Sequence, residues 1–327
     1  MKYPDSDDLQ DRIESIMTDY QDEDRAPSTR RTYAKAFRDF RDFCEALDEP
    51  ALPADPETVA KYVLYCAEDR DLAVATLRKR LAGIRYHHRK EDHRPPTRGI
   101  IVQEAMEQVQ RRKGSAQRQA DPLLRSDVAQ MIQAMDLSRE LPEAPADRAA
   151  CLRAHRDRAV ITVGFAGALR RDELRRITVE DVRLSADRVR IRLPSSKTDQ
   201  AGEGVTLTLS AGQTVADPVS ALYTWLDVAG IDGGPVFQAV DRAGDLGDML
   251  TGQGILRIVR RRAEDAGIQG YITGHSLRAG FATQAVLSGV DREQIMQHMR
   301  LSSIQTLMRY VRLAEEQRTD MSGALGL

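Results

Sequence analysis

The sequence predicts a mainly α-helical chain of two domains. The first is a small N-terminal helical bundle, and the second is a mixed α/β domain with one small antiparallel sheet. Three features carry that expectation. Apolar residues recur at helical spacing through most of the 327 residues, a length that suits two domains. The period changes to strict alternation only between 188 and 209, and the stretch RRKGSAQRQADP at 111–122 has a linker's composition. The expected layout is an acidic arm over 1–24, a helical domain over 25–112, a linker over 113–121 and a second domain over 122–327.

Ser28 is the expected N-cap of a first helix, along which Tyr33, Phe37, Phe40, Cys44 and Leu47 recur at helical spacing. Pro56 and Glu57 open a second helix carrying Val59, Val63 and Cys66. A third runs through VATLRKRLAGIRYHHRK with Leu77, Leu81, Ile84 and His88 on one stripe and Arg78, Arg85 and Arg89 on the next. Pro95-Pro96 ends it, and IVQEAMEQVQ forms the fourth. In the second domain, SDVAQMIQAM and CLRAHRDRAVITVGFAGAL are helical and lead to a turn and helix over 170–177. RVRIRL (188–193) and VTLTL (205–209) alternate, are rich in β-branched residues, and flank SSKTDQAGEG as a hairpin. DPVSALYTWLDVAG, ILRIVRRRAEDAG, SLRAGFATQAVLSG and SSIQTLMRYVRLAEEQR return to helical spacing.

Composition excludes several classes. With 41% hydrophobic and 30% charged residues the chain reads as soluble and globular. No apolar run approaches the roughly 20 residues of a membrane span, and the acidic N-terminus is not expected to be a signal peptide. Cys44, Cys66 and Cys151 are far apart and odd in number, so reduced thiols in a cytoplasm are expected. The net charge of −2 hides a strong asymmetry. Residues 1–24 carry nine acidic and two basic side chains, whereas 77–118 carry twelve basic and four acidic. A local basic surface is what phosphates respond to. The acidic arm is a solvated tail or first helix, or a competitor of DNA for that basic surface.

Three separated segments and a late tyrosine carry chemistry. They hold Arg170 in GALRRDEL, Lys197 in SSKTD, His275 with Arg278 in GHSLRAG, and Tyr310 in MRYVR. A planar guanidinium matches phosphate with two parallel hydrogen bonds, a tyrosine can form a covalent intermediate, and lysine and histidine move protons. Glu173, one helical turn beyond Arg170, can orient it. Alone, Arg170 would be a surface charge, Lys197 a solvated turn residue and Tyr310 part of an apolar stripe. The set is what breaking a phosphodiester without metal needs. His87, His88 and His93 lack accompanying cysteines or carboxylates and are expected to face solvent or phosphate, not a metal. There is no Walker-type loop for ATP, and GHS is not a nucleophile elbow.

That set in that order resembles the tyrosine recombinases, the integrase and Cre/Xer family. The resemblance spans nearly the whole chain. It implies an N-terminal core-binding, SAM-like bundle and a catalytic domain of the DNA breaking-rejoining enzyme fold, closed as a clamp around duplex DNA. It implies site-specific recombination through a 3′-phosphotyrosyl intermediate and a Holliday junction, with no cofactor, metal or ATP. Lys197 would protonate the leaving 5′ oxygen, His275 would exchange a proton with Tyr310, and Arg278 would clamp the phosphate with Arg170. Expected partners are double-stranded DNA with inverted-repeat half-sites and three further copies of the chain, joined on two sites by exchange of the C-terminal segment. The expected location is cytoplasmic and DNA-associated. Sequence reading should come from Arg78, Lys79, Arg85 and Arg89, and from Arg257, Arg260 and Arg261.

One position departs from the family. A histidine or tryptophan after glycine usually stands nine residues before the nucleophile, where this chain has Leu301 after Arg300. Either His298 substitutes after a local shift, or Leu301 fills the place by packing. The departure leaves open activation by an accessory partner, and two rival readings: a weak or inactive DNA-binding regulator of the same fold, or an enzyme like type IB topoisomerases and telomere resolvases.

Overall fold

A computed structural model of the protein describes residues 27–114, 119–138, 140–193 and 204–318. The chain divides into two compact units, 1–118 and 119–327.

The first unit contains α1 (Pro27–Ala46), α2 (Pro56–Glu68), α3 (Val74–Lys90), a 3-10 turn (Pro96–Arg98) and α4 (Ile100–Lys113). Helix α1 starts at Pro27, so Ser28 lies inside it and is not the N-cap the sequence suggests. Helix α2 starts where Asp55 accepts the Glu57 N–H at 2.8 Å, with proline in the first turn. Phe40, Cys44, Val59, Tyr62, Leu77 and Ile84 are fully buried in a common core. A Cβ on Gly83 would stand 2.8 Å from Ala36, so glycine lets α1 and α3 cross closely. With its apolar stripe inward, α3 leaves Arg78, Lys79, Arg85 and Arg89 exposed.

His88 corrects the sequence reading of the histidine group. It faces neither solvent nor phosphate but is completely buried. Its Nδ1 lies 2.8 Å from the Ile84 carbonyl, and its Nε2 accepts the Ala54 N–H at 3.0 Å. Both ring nitrogens are thereby satisfied with the ring neutral, and burial lowers its pKa accordingly. His87 stacks on Phe37 with ring centroids 4.3 Å apart.

The second unit begins with α5 (Arg125–Gln133), α6 (Pro145–Ala166) and the short α7 (Arg171–Arg175). Strands β1 (Val182–Leu184), β2 (Arg188–Leu193) and β3 (Val205–Ser210) form an antiparallel sheet in that order. Then come α8 (Pro218–Ala229), the hairpin β4 (Gln238–Val240) and β5 (Leu246–Met249), α9 (Gly252–Asp265), α10 (Ser276–Leu287), α11 (Arg292–Met299) and α12 (Ile304–Arg318). The domain therefore has two small sheets where the sequence predicts one. Strands of three or four residues, such as β1, β4 and β5, are too short for alternation to appear. Helix α6 starts at Pro145, six residues before the expected start, and α7 stops at Arg175 instead of Ile177.

Helix α6 is the axis of this unit, with thirteen buried residues spread around its circumference. On β2, Val189, Ile191 and Leu193 point into the core while Arg188, Arg190 and Arg192 point out. Trp225 of α8 is fully buried and donates its indole N–H to the Val236 carbonyl at 2.8 Å. Asp157 of α6 accepts Arg156 at 2.8 Å on one oxygen and Arg262 of α9 at 2.9 Å on the other, a buried charge paired on both sides.

Candidate active site

The end of α6 is the floor of the site. After Ala166 the chain turns through Gly167 and through Ala168, which takes a positive φ of 44°. Three consecutive carbonyls at this negative helix end receive donors from elsewhere in the chain. His298 Nε2 lies 2.8 Å from the Ala166 oxygen, so Nε2 carries the proton. Arg300 Nη2 donates to Gly167 at 3.2 Å and to Ala168 at 3.4 Å, and Arg278 Nη1 also donates to Ala168.

Arg170 follows at the N-cap of α7 with extended backbone. Glu173 accepts its backbone N–H at 2.9 Å and its Nη1 at 2.6 Å, so the carboxylate both caps the helix and aims the guanidinium. The second oxygen of Glu173 meets Arg300 Nη2 at 3.2 Å. Burial pushes the Glu173 pKa up, but the Arg170 N–H, the charge of Arg300 and the Arg170 guanidinium outweigh it and hold the carboxyl below its ordinary value.

Helix α10 supplies His275 and Arg278. Its first turn is fixed by Ser276, whose hydroxyl accepts the Thr273 N–H at 2.9 Å and whose carbonyl accepts the Leu123 N–H at 3.1 Å. Gly280 lies so close to Leu123 that any Cβ would overlap the Leu123 carbonyl. Arg278 is only 3% exposed and donates Nη2 to the Met299 carbonyl at 2.5 Å. Burial, with Arg170 and Arg300 nearby, brings its pKa down to about 10, against the opposing effect of Glu173 and Tyr310. It stays cationic at neutral pH, with three of its five N–H groups still uncommitted to these two carbonyls.

His275 stands at the N-cap of α10, where the ring is open to solvent. Partial desolvation against the site wall, then Arg278, Arg171 and Arg170, lower its pKa below the usual histidine value. The ring is therefore neutral at pH 7 and able to accept a proton. Arg171, which the sequence reading left aside, runs between Gly252 and Gly274, each of which a Cβ would bring to within 3.2 Å of it.

Tyr310 sits half-buried on α12, between the buried Leu307 and Val311, and packs on a cluster that includes Ala168, Ala282 and Met299. Among the described residues no hydrogen bond ties its hydroxyl, which lies within electrostatic reach of Arg278. Leu301 packs against the same cluster. His298 stacks on Phe281 with ring centroids 4.7 Å apart, turned to the end of α6. Lys197 lies outside the described residues. Arg257, Arg260 and Arg261 form the exposed face of α9, where Arg260 donates to the Ile272 carbonyl at 2.8 Å.

Arg300 is the site residue that sequence reasoning missed. Its signal is conformational: it is the left-handed C-cap of α11, at φ 55° and ψ 49°.

The sequence pattern of the phage integrase family matches residues 122–317, the segment that holds the whole of this arrangement. The chain belongs to the phage integrase family. It is 33% identical over 294 residues to the integrase/recombinase xerD homolog of Selenomonas ruminantium, covering 88% of this chain and 82% of that protein. It is 28% identical to the recombinase cre of Escherichia phage P1, over 84% of this chain and 81% of the relative. Two solved structures share the fold. One is a lambda integrase dimer bound to a COC' core site, at TM-score 0.59 and 14% identity over 92% of this chain and 93% of that one. The other is the XerH recombinase in a post-cleavage complex with palindromic difH substrate, at TM-score 0.55 and 15% identity over 84% and 72%. Family membership makes the chain a tyrosine recombinase, an enzyme of site-specific recombination. Among the described residues no group of three potential metal ligands occurs, and no helix is long and apolar enough to cross a membrane.

Proposed function

We propose that this chain recombines duplex DNA by attack of Tyr310 on a phosphodiester. The observation that carries the reading is the convergence of Arg170, Glu173, Arg278 and Arg300 on the end of α6, with Tyr310 on the helix packed beside it. Arg170 and Arg278 hold the non-bridging oxygens and stabilise the charge of the pentavalent transition state, an effect of about 3 kcal/mol or more per donor. His275, neutral at pH 7, takes the tyrosyl proton. The new bond joins Tyr310 Oη to phosphorus, and the bond to the 5′ oxygen breaks as Lys197 protonates that oxygen. The 3′-phosphotyrosyl link keeps the bond energy, so the step needs no ATP, and Arg170 and Arg278 supply the charge stabilisation. A 5′-hydroxyl from a partner strand reverses the step on a new junction, and two such rounds pass through a Holliday junction.

Four protomers on two inverted-repeat sites carry out the exchange. The exposed cations of α3 and α9 meet the DNA, some as phosphate contacts and some reading bases. The segment after α12 docks on a neighbouring protomer. An apolar cavity of about 340 Å³ between α10 and α11, lined by Phe165, Phe281, Ala285, Val290, Ile295 and His298, offers it a seat. Deletion of residues 318–327 is expected to abolish synapsis in a gel-shift assay while single-site binding persists. Unchanged synapsis would contradict the docking.

The reading is tested with paired sites selected from a random library. Tyr310→Phe should bind the selected duplex as the parent does and yield no recombinant product. Recombination by that variant would exclude Tyr310 as nucleophile.

A further inference from the structure

The turn joining α11 to α12 carries a guanidinium that the proposed chemistry does not use. We propose that Arg300 is a positioning residue for strand cleavage: it anchors the turn ahead of the Tyr310 helix to the end of α6 and to Glu173, giving both phosphate-binding arginines and the nucleophile one common support. This rests on the reading of Arg170, Arg278 and Tyr310 given above.

Backbone and side chain argue for it independently. Arg300 occupies left-handed backbone at φ 55°, where a residue other than glycine costs about 1–2 kcal/mol. An arginine held there needs compensation, and its side chain supplies it. That side chain is only 9% exposed, and its guanidinium turns inward. Nη1 donates to the His298 carbonyl at 2.7 Å, while Nη2 reaches Gly167 at 3.2 Å, Ala168 at 3.4 Å and Glu173 at 3.2 Å. Nε is buried without a partner, so the two terminal nitrogens do all the holding. A single lysine ammonium cannot reproduce that fork.

The carbonyls of the same turn hold the two clamp residues. Arg170 Nη2 donates to the Arg300 oxygen at 3.4 Å, and Arg278 Nη2 donates to the adjacent Met299 oxygen at 2.5 Å. Helix α12 begins at Ile304, just beyond. A shift of the turn would therefore move both guanidinium groups and the tyrosine helix together. Glu173 joins the parts, with one oxygen on Arg170 and the other on Arg300. Leu301, the next residue, packs its side chain on the apolar cluster and donates its backbone N–H to the Met296 carbonyl at 2.9 Å.

The test uses the full chain and two variants. Arg300→Gly suits the backbone, because glycine adopts this φ without strain, and removes the fork. Arg300→Lys keeps the charge. Single-turnover cleavage of a nicked duplex, DNA affinity, thermal melting and the pH profile of cleavage are measured for each. Cleavage by Arg300→Gly should fall between about ten- and a hundredfold, as displaced reacting groups predict. DNA affinity should hold, and Arg300→Lys should recover part of the rate.

The low-pH end of the profile should also change. The charged groups around Glu173 are Arg170 at the N-cap of α7, Arg278 on α10 and Arg300, and only Arg300 changes. Losing that cation lets Glu173 take a proton at higher pH, and a protonated Glu173 no longer fixes Arg170. The variant should therefore lose the fixed Arg170 at higher pH than the parent, below the acid limb that protonation of His275 sets in both proteins. His298 shifts the same way, since Arg300 also lowers its pKa, whereas Arg300 is not among the groups that lower that of His275. Cleavage equal to the parent's would overturn the proposal. So would a parallel loss of DNA affinity, which would make Arg300 a DNA contact. An adduct that persists in Tyr310→Phe is the separate result that removes the underlying reading.

Discussion

Arg278→Gln is expected to slow formation of the covalent DNA adduct by about a hundred- to a thousandfold, the loss typical of one preorganised donor at a developing oxyanion. The same variant should lower stability by about 1–3 kcal/mol, because the short amide cannot satisfy both carbonyls that Arg278 now holds. Those carbonyls belong to Ala168, at the end of α6, and Met299, ahead of the tyrosine helix. Arg278 thus joins two walls of the site as well as carrying charge. Single-turnover rates and thermal melts separate the two effects. A variant that melts lower but cleaves at the parental rate would show that Arg278 is structural alone.

Gly280→Ala should have the largest effect on stability, although residue 280 takes no part in the chemistry. A methyl group there would overlap the Leu123 carbonyl oxygen and crowd the Leu123 nitrogen, which is 3.0 Å from the Cβ position. Backbone cannot rotate away as a flexible side chain can. Helix α10 and the 121–124 strand of chain would have to separate, breaking the Leu123 to Ser276 hydrogen bond that fixes the first turn of α10. A loss of about 3 kcal/mol or more is expected from overpacking of this kind. Urea denaturation reads it directly. A parental midpoint would mean that α10 is not seated as described, and the placement of His275 and Arg278 would fall with it.

Legibility in the sequence followed the length and regularity of each pattern. Helix α3 could be read to its ends because Leu77, Leu81, Ile84 and His88 keep one stripe for about three turns. Strand β2 was equally plain, since six residues alternate without a break. Strands β1, β4 and β5 span three or four residues and offer no period to detect. Helix α11 went unread for a related reason. Only Ile295 and Met299 of its eight residues are buried, and its clearest mark was Asp291, which accepts the Glu293 and Gln294 N–H groups as an N-cap.

The site was legible where chemistry constrains residue type. Arg170, His275, Arg278 and Tyr310 stand out because phosphate, proton and nucleophile each demand a particular side chain. Arg300 did not, because its meaning lies in a positive φ and in three backbone carbonyls, and an arginine after a helix reads as a surface charge. His88 shows the opposite error. Its apolar stripe marked it as core, but its neighbours His87 and His93 drew it into an apparent polar group. The stripe was the better guide, as burial of a neutral, doubly bonded imidazole makes clear.

The most direct test of the central claim is covalent capture. A labelled duplex library with nicked spacers is incubated with the parent protein and with Tyr310→Phe in chelator, then resolved on denaturing gels, and any adduct is digested and mapped by mass spectrometry. The account predicts a single adduct, DNA joined through a 3′-phosphate to Tyr310, formed in chelator and absent from the variant. An adduct on another residue, or one that survives Tyr310→Phe, would contradict it.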